Sequence, residues 1–197
     1  MTETQTIEPE HILWLDLETT GLHHSSPILE VAAVITDMDL NEKARGLWVV
    51  NPERGYYKNG VWLHGHKDWV SLMPVNVLEM HVASGLIREA KESRHDLNGV
   101  ESALASLIQD TCGYGQRVPL GGSGVSHFDL HVIRQQLPVL AEKLTYWTID
   151  VGNVRRFVQR VMGKEFERTE IAHRAMPDVE QSIEEAKRLR TWFAGER

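Results

Sequence analysis

The sequence has one cysteine, Cys112, among 197 residues. A single thiol excludes a disulfide framework and any cysteine-built zinc cluster, and it fits a reducing compartment. Basic residues are short: 21 Lys and Arg against 28 Asp and Glu leave a formal charge of -7. That balance excludes a broad basic face for gripping long duplex DNA, while leaving room for a local basic groove. No apolar run approaches a membrane span. The polar, acidic opening MTETQTIEPE lacks the basic-then-apolar pattern of a signal peptide. A cytoplasmic protein with no membrane partner is expected. There is no internal repeat, no low-complexity block and no linker long enough to split the chain. Its length suits one domain with a complete core.

Residues 1–10 read as a disordered tail and 11–197 as a single domain. HILWLDL (11–17) is short and apolar on both faces, the pattern of a central strand covered on both sides. ILEVAAVITD (28–37) and ARGLWVVN (44–51) read as two more strands, with hairpin chemistry between them. Residues 52–68, with their Pro, Gly, Tyr and His, read as a long surface loop. Residues 74–92 read as helical with a glycine break at Ser84-Gly85. A further helix follows Asp96, with Leu97, Val100, Leu104, Leu107 and Ile108 as its apolar stripe and Gly113 at its end. RVPLGG (117–122) is a strand running into a glycine turn, FDLHVIRQQL (128–137) a helix stopped by Pro138, and YWTIDV (146–151) the last strand. VGNVRRFVQRVMG (151–163) and a long helix from Pro177 to about Phe193 complete the chain. Val179, Ile183, Ala186, Leu189 and Phe193 are the long helix's buried stripe. Three strands followed by alternating helices and strands specify an α/β fold: a mixed, ribonuclease H-like sheet whose first three strands are antiparallel, flanked by helices.

Carboxylates mark where chemistry can occur. Asp16 and Glu18 lie two apart at the end of the first strand, so both point to one side. Two buried anions repel each other and need a positive partner, yet the first basic residue of the chain is Lys43. A divalent cation is the economical answer, because hard carboxylate oxygen suits Mg²⁺ or Mn²⁺. A solvated strand end is the plainer reading of an isolated D-x-E. Asp129 follows the glycine turn, where Ser126 is a candidate helix cap. His173 lies on the loop before Pro177, and Asp178 in the first helical turn. Each taken alone also fits an ordinary helix-start acid or loop histidine.

Taken jointly, Asp16, Glu18, Asp129, His173 and Asp178 resemble the signature of the DEDDh 3′–5′ exonucleases. D-x-E-T-T-G-L (Asp16 to Leu22) and H-R-A-x-x-D (His173 to Asp178) are the specific motifs. Met73 to Ser93, with the core M-H-x-x-S-G-L (Met80 to Leu86), resembles the oligoribonuclease branch, and especially its actinobacterial members. The resemblance spans residues 11 to about 193. It implies an exonuclease domain that releases 5′-mononucleotides from short single-stranded RNA by two-metal phosphodiester hydrolysis. It further implies that Asp16 bridges two cations, Mg²⁺ or Mn²⁺. Glu18 and Asp178 would complete the site for the attacking water, Asp129 would hold the other side, and His173 would take the proton. Thr19, Leu22, His81, Ser84 and Ser123 are the implied substrate contacts, Leu22 pressing on the terminal base. His81 also fits a cation at a helix C-terminus. A homodimer is implied, with the tryptophans of residues 62–69 and Trp147 as candidates for its interface.

Two departures from the oligoribonuclease pattern concern substrate length. In T-Y-W-T-I-D-V-G (145–152) Trp147 stands where the branch has an arginine, and Gly152 where it has a serine. The glycine turn, 121–126, is one residue longer, which leaves the serine equivalent open between Ser123 and Ser126. Arg155 or Arg156 would be placed to restore the missing charge. The alternatives are a related exonuclease acting on longer RNA or on DNA 3′ ends, and a catalytically dead nucleic-acid-binding module. His23-His24 and His64-x-His66 lack an accompanying ligand set for a metal.

Overall fold

The structure is a computed structural model that describes residues 9–58, 61–63, 65–166 and 173–195. The expected tail, apart from Pro9 and Glu10, lies outside the described residues, as do His64 and the Trp62 side chain. Three antiparallel strands, β1 (His11–Thr19), β2 (Ile28–Asp37) and β3 (Glu42–Val49), open the chain. A short hairpin follows, β4 (Tyr56–Lys58) with β5 (Val61–Leu63), inside the stretch expected to be loop. Next come α1 (Val75–Ala83), α2 (Leu86–Glu92), α3 (Leu97–Cys112), β6 (Val118–Gly122), α4 (Asp129–Gln136), α5 (Pro138–Glu142), β7 (Leu144–Asp150), α6 (Val151–Arg160) and α7 (Ala175–Ala194). The main sheet has the order β3-β2-β1-β6-β7, antiparallel through the first three strands and parallel from β1 onward. This is the mixed sheet expected, with β1 at its centre.

Strand alternation divides the core. Leu13, Leu15 and Leu17 of β1 pack on one face with Val100, Leu104 and Ile108 of α3 and Val132 and Ile133 of α4. Ile12 and Trp14 pack on the other with Val158 of α6 and Val179, Ile183 and Leu189 of α7. Glycine lets β6 come close: a β-carbon at Gly121 would lie 2.8 Å from the Trp14 ring. Gly85 breaks the helix between α1 and α2 with φ +81°, as its sequence position predicts.

Other expectations are corrected. Pro138 does not merely end a helix. It opens α5, where Glu101 accepts the free Val139 and Leu140 amides. α7 begins at Ala175, two residues before Pro177, and α6 ends at Arg160, short of Gly163. Phe193 is 56% exposed rather than part of the buried stripe. Trp69 is buried among Leu29, Met73, Val77 and Leu86, so it is a core residue and not a subunit contact. No helix among the described residues is long and apolar enough to cross a membrane.

Candidate active site

Asp16 and Glu18 share the parity of Ile12 and Trp14, so β1 presents them on the face that α7 covers. Asp178 sits in the first turn of α7 and meets them there. One oxygen from each of Asp16, Glu18 and Asp178 lies within 4.8 Å of the others, the only such group among the described residues. Asp129 opens α4 at 5% exposure. It lies outside that trio, tied to β1 by the Leu17 amide, which donates to its Oδ1 at 3.2 Å. Ser126 is not the cap of α4: its amide and hydroxyl both donate to Asp150.

The cluster is short of positive charge. Burial pushes the Asp16 carboxyl well above its usual range, and Asp129, Glu18, Asp178 and Glu30 add to the effect. Burial also lifts Glu18 to about 8, with Asp178, Glu30 and Asp129 raising it further and Arg174 opposing them. Asp129 is lifted to about 7 by burial, against hydrogen bonds from its own amide and that of Leu17. Carboxylates that hold protons for want of a cation, all offering hard oxygen, suit a divalent metal ion.

Beside the cluster opens a cavity of about 210 Å³, lined by Asp16, Ser123, His173, Asp178, Gln181, Ser182 and Glu185. The four α7 residues fall at spacings of three, four and seven, one face of a helix. His173 is exposed on the wall and carries a φ of +51°, an uncommon conformation for a residue with a side chain.

These features meet the comparisons with known proteins. The sequence profile of the exonuclease family matches residues 13–186. The chain belongs to the exonuclease family. It is a 3′–5′ exonuclease, as its motifs implied. Among the relatives of this exonuclease, the oligoribonuclease of Corynebacterium glutamicum (strain R) is 34% identical over 189 residues, 93% of this chain and 80% of the relative. The oligoribonuclease of Mycobacterium sp. (strain KMS) is 32% identical over 186 residues, 92% of this chain and 80% of the relative. In fold, the chain is similar to E. coli exonuclease I solved with a 5cy-dT13 oligonucleotide, at TM-score 0.68 and 17% identity. That match covers 93% of this chain and 41% of that one.

The exonuclease places the expected substrate contacts unevenly. Leu22 is 84% exposed just past the end of β1. Ser123 lines the cavity, whereas Ser126 is engaged by Asp150, which separates the two candidate serines. Thr19 is buried. Its carbonyl accepts from His81 Nε2 at 3.0 Å, and its hydroxyl donates to the Gly21 carbonyl at 2.6 Å. His81 is fully buried, with Nε2 3.8 Å from a Glu18 oxygen, and so has no exposed surface to offer a ligand. Burial also holds its pKa down, against the reading as a helix-end cation. Ser84 caps the end of α1, its hydroxyl donating to the His81 carbonyl. Arg155 is buried against Glu185, with Nη1 2.6 Å from Oε1, so it is not the available cation the sequence suggested. His24 stacks on His131 at 4.8 Å and belongs to no metal-capable group among the described residues.

The sequence reading missed Gln181, Ser182 and Glu185, although the helical spacing from Asp178 was available to find them. It also missed Glu30, whose signal is a lone carboxylate inside the apolar run ILEVAA.

Proposed function

We propose that this exonuclease degrades short single-stranded RNA from the 3′ end, releasing 5′-mononucleotides. The carrying observation is the trio of Asp16, Glu18 and Asp178 oxygens within 4.8 Å, opening on a cavity walled by His173. The relatives named oligoribonuclease support the substrate class. Two divalent cations, Mg²⁺ or Mn²⁺, would supply charge neutralisation at the scissile phosphate and an acidified water. Asp16, Glu18 and Asp178 would hold them, with Asp129 completing the set from α4. His173, exposed on the cavity wall, accepts the proton of the attacking water through a ring nitrogen. Leu22, exposed beyond β1, offers an apolar surface to the terminal base. Ser123 offers a hydroxyl to the phosphate backbone inside the cavity.

Mn²⁺-dependent release of mononucleotide from a labelled RNA dinucleotide, an RNA 24-mer and a DNA oligonucleotide tests the reading. Release from RNA and not DNA supports it. Preference for DNA ends reassigns the substrate, and binding without release turns the chain into a binding module.

The same reading includes a homodimer. The edge strand β7 exposes Tyr146 at 91%, helix α6 exposes Phe157 at 53%, and Val161, just past the end of α6, is 69% exposed. Exposed apolar side chains such as these suit a subunit contact. A sedimentation mass of one chain at micromolar concentration rejects it.

A further inference from the structure

His173 stands on a backbone conformation that costs energy for a residue with a side chain, so something nearby must hold it. The next residue, Arg174, is held by two carboxylates and a backbone carbonyl. Its Nε lies 3.1 Å from both oxygens of Glu30, and its Nη2 lies 2.6 Å from Oε1 of Glu30 and 2.8 Å from Oε2 of Glu89. Nη1 donates to the Ser84 carbonyl and to Glu89 Oε1, both at 3.3 Å. The planar fork of arginine suits this two-carboxylate grip, and lysine cannot reproduce it.

Glu30 has a second task. It is fully buried in β2, and its Oε2 accepts the Ala175 amide at 2.8 Å. α7 has no cap of its own, since Arg174 at its N-cap makes no side-chain cap bond. Glu30 therefore supplies the cap from another strand and fixes where α7 starts. Glu30 also stands directly across the sheet from Glu18. Like charges so placed repel, and Arg174 compensates the one that is not in the cluster.

We infer that Arg174, gripped by Glu30 of β2 and Glu89 of α2, is the positioning residue for His173, and that the same grip ties the Ser84 corner of α1 to the general base. The clamp joins three parts of the molecule: the strand opposite Glu18, the corner between α1 and α2, and the start of α7. Its function is to hold the imidazole over the cavity while leaving metal binding to the carboxylates. This inference rests on the reading of His173 as the base.

The test is a double-mutant cycle of Arg174→Lys and His173→Ala on an RNA dinucleotide with Mn²⁺, with Glu89→Gln as a second probe of the clamp. Misplacing a catalytic group by about 1 Å costs on the order of 10²-fold. Arg174→Lys is expected to lower kcat by about that factor, with KM and Mn²⁺ affinity by calorimetry unchanged. Glu89→Gln, which keeps the Glu30 contact, should do the same to a smaller extent. In the His173→Ala background both changes should lose nearly all their effect, because residues acting through one group are not additive. Equal losses in both backgrounds, or a loss in KM or Mn²⁺ affinity instead of kcat, would overturn the inference while leaving the base assignment standing. A His173→Ala variant as active as wild type would instead remove the base assignment, and the inference with it.

Discussion

Glu18 and Glu30 face each other across the β1–β2 ladder, are both buried, and have opposite surroundings. Glu30 has the Arg174 guanidinium and the Ala175 amide against its oxygens. Glu18 has Asp16 and Asp178, and burial pushes its carboxyl to about 8. The two side chains are chemically the same. Under the proposed function, what separates a structural carboxylate from a metal-binding one is whether the protein supplies the cation. At Glu30 the fold completes its own ion pair, whereas Glu18 sits among carboxylates where a cation from solution would complete the charge balance.

The largest expected effects fall on the acidic cluster. Asp16→Ala, Asp129→Ala and Asp178→Ala should each abolish nucleotide release while the protein stays folded, with a metal-free melting temperature equal to or above wild type. Two of the three near the wild-type rate would sink the site assignment. Glu30→Gln should behave in the opposite way. It leaves Arg174 short of its partner, and breaking a buried pair costs about 3–5 kcal/mol when fully buried, less here because Arg174 is partly solvated. A Glu30→Gln variant as stable as wild type would erase the distinction between the two carboxylates.

Next in size is the histidine contrast. His173→Ala should lower kcat by roughly 10²–10⁴, the usual range for loss of a general base, with metal affinity retained. If that variant matches wild type from pH 6 to 9, His173 is not the base. His81, buried under Thr19 and 3.8 Å from Glu18, should act through the strand end instead.

These contrasts also mark what the sequence made legible. The central strand, the antiparallel opening of the sheet and the helix break at Gly85 follow from local pattern, because alternation and glycine conformations are local properties. Asp16, Glu18 and Asp178 each fit an ordinary strand end or helix start taken alone, and were findable only through the joint pattern with Asp129 and His173. The partner of Glu30 was not: Arg174 lies 144 positions away, and nothing local connects a charge in β2 to the start of α7. The burial of His81 was hidden for the same reason, since only the packing of α1 against the end of β1 shows it. Residues 52–68 concealed a hairpin because three-residue strands carry too little alternation to detect.

A smaller effect is expected on substrate length. Arg155, bound to Glu185, does not replace the missing arginine at Trp147, and Arg156 bonds Asn153 at the surface. The missing serine at Gly152 is replaced in part: a β-carbon there would lie 2.7 Å from Ser123 Oγ, so the Ser123 hydroxyl already occupies that space. A hydroxyl without a guanidinium binds a terminal phosphate less strongly. The ratio of kcat/KM for an RNA dinucleotide over a pentanucleotide or 20-mer should therefore stay below about a hundredfold, a hundredfold being roughly 2.7 kcal/mol of discrimination. A larger ratio would show that other residues close the cavity around the 5′ phosphate.

A last effect is on stability without metal. In an unfolded chain Asp and Glu titrate near 4. In the folded, metal-free protein Asp16, Glu18 and Asp129 all titrate higher, Glu18 at about 8 and Asp129 at about 7. Between those limits the folded state holds protons that the unfolded state has released, so stability falls as pH rises from about 4 to about 8. In EDTA the cluster should thus lower the melting temperature steadily from pH 5 to 8. Saturating Mn²⁺ binds the deprotonated form, so its stabilisation should grow over the same window and cancel the decline. Asp16→Asn should flatten the metal-free slope by removing one of the repelling charges, while Glu89→Gln, outside the cluster, should leave it in place. A metal-free melting temperature that rises from pH 5 to 8, with the Asp16→Asn profile parallel to wild type, would mean that these carboxylates are already ionised and compensated, and that Glu18 and Glu30 do not differ in the way proposed.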